Sequence, residues 1–276
     1  MPLLFGTAGI PVSSKKRATE EGVRRVRQLG LDAMEVEFVQ GVRMGETKAE
    51  IVAKVAIEEN IALSCHAPYW INFNSKEPEK VVASGERLLH SARIGKILGV
   101  RSVIFHPAFN HDDSPEIVFE RTARELIKVR EILDSENNEV ILRPETTGKP
   151  SQFGSLEETL ALAKEIPGVL PCIDISHLHA RSGGDINTYD EFCWLLESAA
   201  ESLGDGFIKN AHFHVSGIEY GPKGERKHLI LEDSDFRYKE LMKAFHTFAV
   251  EGIVICESPN LEEDALLMQK TYQELA

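Results

Sequence analysis

Cysteine is scarce in this chain and poorly spaced for chemistry of its own. Cys65, Cys172, Cys193 and Cys256 are spread over 276 positions without a Cys-x-x-Cys pair. Three of the four lie in apolar, strand-like runs, which argues against a disulfide framework or a thiolate zinc site and leaves buried free thiols. Also lacking is any run of roughly 18 apolar residues, the length a membrane-spanning helix needs. The opening residues Met1-Pro2-Leu3-Leu4-Phe5-Gly6 carry neither a basic n-region nor an extended apolar h-region, so a soluble cytoplasmic protein with no membrane partner is expected. Positive charge is in deficit, with 31 Lys+Arg against 44 Asp+Glu and a formal net charge of −13. That balance counts against indiscriminate coating of nucleic acid but allows a local basic groove. There is no P-loop and no nucleophilic Ser-His-Asp elbow. Gly6-Thr7-Ala8-Gly9 stands where a dinucleotide-binding fold would place Gly-x-Gly-x-x-Gly.

What the sequence does have is a regular alternation of short apolar runs and longer segments of helical period. The runs predict strands at Leu3–Phe5, Ala33–Val39, Ile61–Cys65, Ser102–Phe105, Val140–Pro144, Leu170–Asp174, Ala211–Val215 and Gly252–Cys256. Helices are predicted at Lys16–Gln28, Lys48–Glu59, Pro78–Leu98, Pro115–Ser135, Ser155–Glu165, Asn187–Ser202, Phe236–Phe248 and Leu261–Leu275. Gly30 and Gly99 follow helices where a left-handed cap is wanted, and Ser155 with Glu158 forms a capping-box pattern. No linker or low-complexity tract interrupts the series. Eight βα units point to an α/β fold, a (β/α)8 TIM barrel forming one domain over residues 1–276, with its site at the C-terminal ends of the strands.

Those strand ends are unusually polar. The third runs into His66, the fourth into His106, the fifth into Glu145, the sixth into Asp174 and His177, and the eighth into Glu257. The seventh carries His212 and His214, two apart and therefore on one face. So many titratable groups at one mouth are electrostatically costly unless cations neutralise the carboxylates and accept the imidazole nitrogens. Nitrogen and oxygen ligands without thiolate favour Zn²⁺, Mn²⁺ or Fe²⁺ over Ca²⁺. Seven such groups exceed one coordination sphere, so two or more ions are expected, with Glu145 as a bridge. Paired ions suit phosphoester hydrolysis. His90, His111 and His246 are expected outside the site, and His179 and His212 are left undecided. Arg43, Lys76, Lys149, Arg181, Lys223, Arg226 and Lys227 fall in loops at the same end of the barrel, as a basic groove or as ordinary surface charge.

Two segments carry a resemblance. His66-Ala-Pro-Tyr69-x-x-Asn72 is similar to the HxPYxxN segment of the endonuclease IV family, and Cys172-Ile-Asp174-x-x-His177 to its CxDxxH segment. These are zinc-dependent apurinic/apyrimidinic endonucleases of the xylose-isomerase-like superfamily, and the resemblance extends over essentially the whole chain in strand order. It implies cleavage of double-stranded DNA 5′ to abasic sites by a monomeric, repair-type hydrolase holding up to three zinc ions. His66, His106 and Glu145 would hold one, and Glu145, Asp174, His214 and Glu257 a second. His177 with a pair of ligands after strand 7 would hold the third. Tyr69, with Gln40 or Arg43, would fall where the family inserts side chains into the duplex. Lys223, Arg226 and Lys227 would contact phosphate.

The chain departs from the family pattern at three points. Val215-Ser216-Gly217 follows His214 in place of Leu-Asn-Asp. Gly224-Glu225-Arg226-Lys227-His228 replaces the Asp-x-His spacing of the third site, so His228 can serve as a ligand while the carboxylate is missing from its usual spacing, with Glu225, three residues before His228, as a substitute. Phe109 follows His106-Pro-Ala in place of a small turn. Two-ion and three-ion sites are both open, with Mn²⁺ or Fe²⁺ as alternatives to zinc in some positions. So is a different chemistry, a sugar isomerase or epimerase using one divalent ion on Glu145, Asp174, His214 and Glu257, as is a metal-binding barrel without catalysis. His66 and His106, superfluous to a single-ion isomerase, favour the nuclease.

Overall fold

The computed structural model describes residues 2–275. Its strands are β1 (Leu3–Ala8), β2 (Ala33–Glu37), β3 (Ala62–His66), β4 (Ser102–Phe105), β5 (Ala108–Phe109), β6 (Ile141–Pro144), β7 (Gln152–Phe153), β8 (Ile173–Asp174), β9 (Ala211–Val215), β10 (Gly217–Gly221), β11 (Gly224–Leu229) and β12 (Gly252–Cys256). The helices are α1 (Thr19–Leu29), α2 (Glu46–Glu59), α3 (Pro78–Leu98), α4 (Pro115–Ser135), α5 (Leu156–Glu165), α6 (Ile175–Arg181), α7 (Tyr189–Leu203), α8 (Asp205–Ile208), α9 (Tyr238–Thr247) and α10 (Glu262–Gln273).

Eight strands form one sheet in the order β6-β4-β3-β2-β1-β12-β9-β8, with neighbours parallel. Parallel bridges Leu142↔Val169 and Glu145↔Cys172 join its two ends and close the barrel. The expected (β/α)8 architecture is thus the observed one, and each of the eight expected strands contributes to it. The expected punctuation is present too. Gly30 and Gly99 take left-handed φ values of 83° and 73° after α1 and α3, and Ser155 with Glu158 completes the capping box of α5.

Three differences from the sequence reading bear on the barrel mouth. The sixth strand is reduced to Ile173–Asp174 because Val169 and Cys172 meet the neighbouring strand only through isolated bridges, and after it the Asp174 side chain accepts a hydrogen bond from the His177 amide at 2.7 Å and starts α6 at once. Asp174 is therefore a helix N-cap as well as a strand end. The segment after β9 is not an open loop but the hairpin β10–β11. Lastly, β5 pairs antiparallel with β7 in a small ribbon over the barrel mouth.

The main core lies between the outer face of the barrel and the helices, where Val23, Val52, Leu88, Leu126, Leu195 and Phe245 are fully buried. Inside the barrel, Ala33, Ile253 and Ile255 with Leu4, Ala8 and Ala62 fill one side. Elsewhere the interior is polar, with Glu35, Ser64, Arg143 and His212 all buried. Arg143 donates to Ser102 Oγ at 2.7 Å, to the Pro171 carbonyl at 2.8 Å and to the Asn210 carbonyl at 2.8 Å. The guanidinium is thereby satisfied where an unpaired one would be prohibitive. Gly6 has a steric reason: a Cβ there would stand 2.1 Å from the Ala33 carbonyl oxygen of the adjoining strand. Among the described residues no helix is long and apolar enough to cross a membrane.

Candidate metal centre

Side chains two apart on a strand share a face, so the barrel turns His66, Glu145, Asp174, His214 and Glu257 toward one mouth. Glu145, fully buried, stands at the middle. Its Oε2 is 3.0 Å from His66 Nε2 and 3.1 Å from His106 Nε2. Its Oε1 is 3.2 Å from His177 Nδ1 and 3.5 Å from His214 Nδ1. His214 Nδ1 also lies 3.4 Å from Glu257 Oε1, and His177 Nδ1 3.3 Å from Asp174 Oδ2. The ligand-type atoms of His66, His106 and Glu145 fall within 4.8 Å of one another, as do those of Glu145, Asp174, His214 and Glu257. One oxygen of Glu145 thus faces each set.

A third set forms above these. His177, His228 and Glu257 also offer atoms within 4.8 Å, and the two imidazoles approach to 3.3 Å between their Nε2 atoms. The hairpin register explains how Glu225 joins them. Glu219 pairs with Lys227 but Tyr220 pairs with Glu225, so Arg226 is an extra, bulged residue. A bulge resets the alternation of side chains. Glu225 and His228, three apart, therefore share one face as residues two apart would on a regular strand. Glu225 Oε2 is 3.7 Å from His177 Nε2, and its Oε1 is 4.0 Å from His228 Nε2.

Electrostatically this is a cluster in need of cations. Burial alone would raise the Glu145 carboxyl, but the imidazoles of His106 and His214 outweigh it and hold it well below the usual range. Asp174 is pushed up to about 7 by burial, with Glu257 and Glu145 adding to the effect against the pull of His177. Burial would lower His66, yet the Glu145 hydrogen bond and charge raise it to about 9. His177 and His214 are raised well above the ordinary imidazole value against the same burial penalty, His177 chiefly by Asp174 and Glu145, His214 by the anionic groups around it. Asp174 Oδ2 and His214 Nδ1 are buried without a hydrogen-bond partner. Orphaned, converging ligand atoms of mixed nitrogen and oxygen type fit divalent ions.

The other expected site residues are placed unevenly. Tyr69 stands at the rim, half exposed, its ring 5.3 Å from that of His66 and 5.6 Å from that of His106. Arg43 is exposed and lines a neighbouring cavity of about 630 Å³ with Arg17, Lys48 and Glu37. Lys223 is exposed at the hairpin turn. Arg226 and Lys227 are exposed on the hairpin, 3.3 and 3.2 Å from Glu219 carboxylate oxygens. The basic groove is thinner than the loop charges suggested. Arg181 donates to the Lys149 and Gln152 carbonyls and so holds the β6–β7 loop, while Lys76 is paired with Asp113. His90, His111 and His246 are exposed. His179 is buried away from the Glu145 cluster, 3.1 Å from Asp235. His212 lies below His214 against Glu35.

Two acids escaped the sequence reading. Glu35 and Glu37 of β2 point inward, Glu35 fully buried and Glu37 partly so, with Glu37 Oε1 unpartnered. Burial and the adjoining Glu35 raise the Glu37 carboxyl to about 8. The signal was available: Met34-Glu35-Val36-Glu37 alternates apolar and acidic residues in a strand that faces a barrel interior.

A family model described as a xylose isomerase-like TIM barrel matches residues 23–274. The chain belongs to the xylose isomerase-like TIM barrel family. An uncharacterized protein of Methanocaldococcus jannaschii is 45% identical over 273 residues, covering 99% of this chain and 98% of that one. A probable endonuclease 4 of Streptomyces avermitilis is 28% identical over 258 residues, covering 88% and 81%. Among solved structures, a D-tagatose 3-epimerase-like protein superposes with a TM-score of 0.76 at 16% identity over 100% of this chain and 98% of that one. Endonuclease IV from Thermus thermophilus superposes with a TM-score of 0.74 at 18% identity over 97% and 98%. At such identities the superpositions show a common barrel. Which chemistry a xylose isomerase-like TIM barrel performs must be argued from its site.

Proposed function

We propose that this chain is a metal-dependent phosphodiesterase that hydrolyses the backbone of double-stranded DNA 5′ to abasic sites, using two or three zinc ions. One observation carries the reading. Beside the Glu145, Asp174, His214 and Glu257 quartet, which would suffice for a single ion, His66 and His106 form a second set on the far oxygen of Glu145. A sugar isomerase has no use for that second set. Sequence similarity to probable endonuclease 4 proteins points the same way.

His66, His106 and Glu145 would hold one ion, and Glu145, Asp174, His214 and Glu257 the next. His177 and His228, with Glu225 or Glu257, would hold a third. Bound ions supply a nucleophile at neutral pH and offset the charge of a phosphodiester. The chain's own part is positioning. Glu145 sets the spacing of the two main sets, and the Asp174 cap fixes the start of α6 and with it the His177 imidazole. Tyr69 presents an aromatic edge at the rim where a nucleotide turned out of the duplex would enter.

The test is metal analysis combined with activity. The purified protein should retain two or three zinc ions per chain and nick a duplex bearing a single abasic site, leaving intact duplex alone. A single exchangeable Mn²⁺ or Co²⁺ with ketose turnover and no nicking would replace this reading with the isomerase or epimerase.

A further inference from the structure

Directly beneath the ligand mouth lies a second polar layer that none of the proposed ion sets uses. Glu35 of β2 is at its centre, with no solvent exposure. Its Oε2 accepts from Ser64 Oγ at 2.6 Å and lies 3.1 Å from His212 Nε2. Its Oε1 stands 3.0 Å from Nε2 of His214, although the two atoms fall short of hydrogen-bond alignment and both count as unpartnered. The opposite nitrogen of the same ring, Nδ1, faces Glu145 and Glu257. His214 is thus clamped between a deep carboxylate and the ligand cluster.

We infer that Glu35 is a positioning residue for the metal centre: it orients the His214 ring from behind, so that Nδ1 is presented to the ion that Glu145, Asp174 and Glu257 would share. The inference rests on reading the mouth as a metal site. A buried carboxylate costs several kcal/mol unless its charge and lone pairs are met. Here Ser64 and His212 satisfy one oxygen, the His214 ring faces the other at 3.0 Å, and β2 holds Glu35 in register opposite Ser64 of β3. Behind a ligating histidine, such an acceptor fixes the tautomer, stops the ring turning and raises the basicity of the ligating nitrogen.

The same layer contains a competing arrangement, because Cys172, His212 and His214 offer atoms within 4.8 Å of one another. Geometry argues against that trio as an ion site in its own right, because the Nε2 atoms of both imidazoles already face Glu35, His212 at 3.1 Å from Oε2 and His214 at 3.0 Å from Oε1.

The experiment is a chelator competition for Zn²⁺ and Co²⁺ on the full chain, comparing wild type with Glu35→Gln and Cys172→Ala. Glu35→Gln keeps the shape and should weaken the ion that His214 would hold about ten- to a hundred-fold, the usual cost of losing such a support. It should also shift the visible spectrum of the Co²⁺ form, while the metal-free protein melts within a few degrees of wild type. Glu35→Asp should recover part of the affinity. Cys172→Ala should keep the wild-type number of ions. Wild type that binds no divalent ion would sink the metal reading itself. Wild type that binds while Glu35→Gln binds equally well, with an unchanged Co²⁺ spectrum, would overturn the role of Glu35 alone. Loss of one ion from Cys172→Ala would make the lower layer a ligand set and overturn it as well.

Discussion

At the scale of single residues, Glu145 joins two sets of imidazoles through its two oxygens, and removing its charge affects both. Glu145→Gln should abolish hydrolysis while leaving the fold intact, because the side chain fills the same space and no apolar packing is lost. The check is turnover of an abasic duplex alongside circular dichroism, and unchanged turnover would refute the bridging role. His66 makes a different prediction. In the metal-free protein its pKa is about 9 rather than 6.5, so its proton must leave before it can bind an ion. The sign follows from linkage: the pairing with Glu145 contributes to stability fully below pH 6.5 and fades as pH rises through about 9. Zinc uptake at pH 7 should therefore release protons, and apparent affinity should rise toward pH 9. Titration in weak buffer with a pH indicator measures this. Binding at pH 7 without proton release would contradict it.

At the scale of elements, α6 begins where no helix was expected, and Asp174 serves as its N-cap and, in the proposed metal centre, as a ligand. Substitution can separate the two duties. Asparagine caps as well as aspartate, whereas alanine loses about 1 kcal/mol of helix capping. Asp174→Asn should leave the metal-free protein as stable as wild type while weakening metal binding, and Asp174→Ala should lower both. Thermal melts of chelator-treated protein and metal content decide it. The prediction fails if the asparagine variant is destabilised as much as the alanine one. In the hairpin, the bulge at Arg226 turns a spacing that looked wrong into a shared face for Glu225 and His228. Such a compensation is invisible in residue counts.

At the scale of the molecule, several barrel strands are linked through one cluster, so bound ions should stabilise the whole fold. Stripping ions that are present at a thousand times their dissociation constant removes about 4 kcal/mol, and the melting temperature should drop roughly 8–16 °C for a chain of this size. Calorimetry with and without chelator tests this, and no shift would count against tight sites. With a net charge of −13, the proposed DNA association would depend on local cations. Arg226 and Lys227 already share Glu219, which leaves Lys223 as the freest of the three. Neutralising Lys223 should flatten the salt dependence of duplex binding by about one unit of slope if it contacts a phosphate. An unaltered slope would remove the hairpin turn from the DNA interface.

The sequence by itself determined the barrel and most of the mouth. Apolar runs of strand length alternating with amphipathic segments admit few other folds, and acids and histidines at successive strand ends become neighbours once the barrel closes. Tertiary structure alone decided what depends on register and on contacts between distant segments. The bulge that aligns Glu225 with His228 arises from pairing across a hairpin. Glu35 lies 177 residues from its partner His212, and its role is set by which side chains the closed barrel places in one layer. Arg181 reads as a surface cation in the chain, yet its guanidinium is taken up by backbone carbonyls that only folding brings to it.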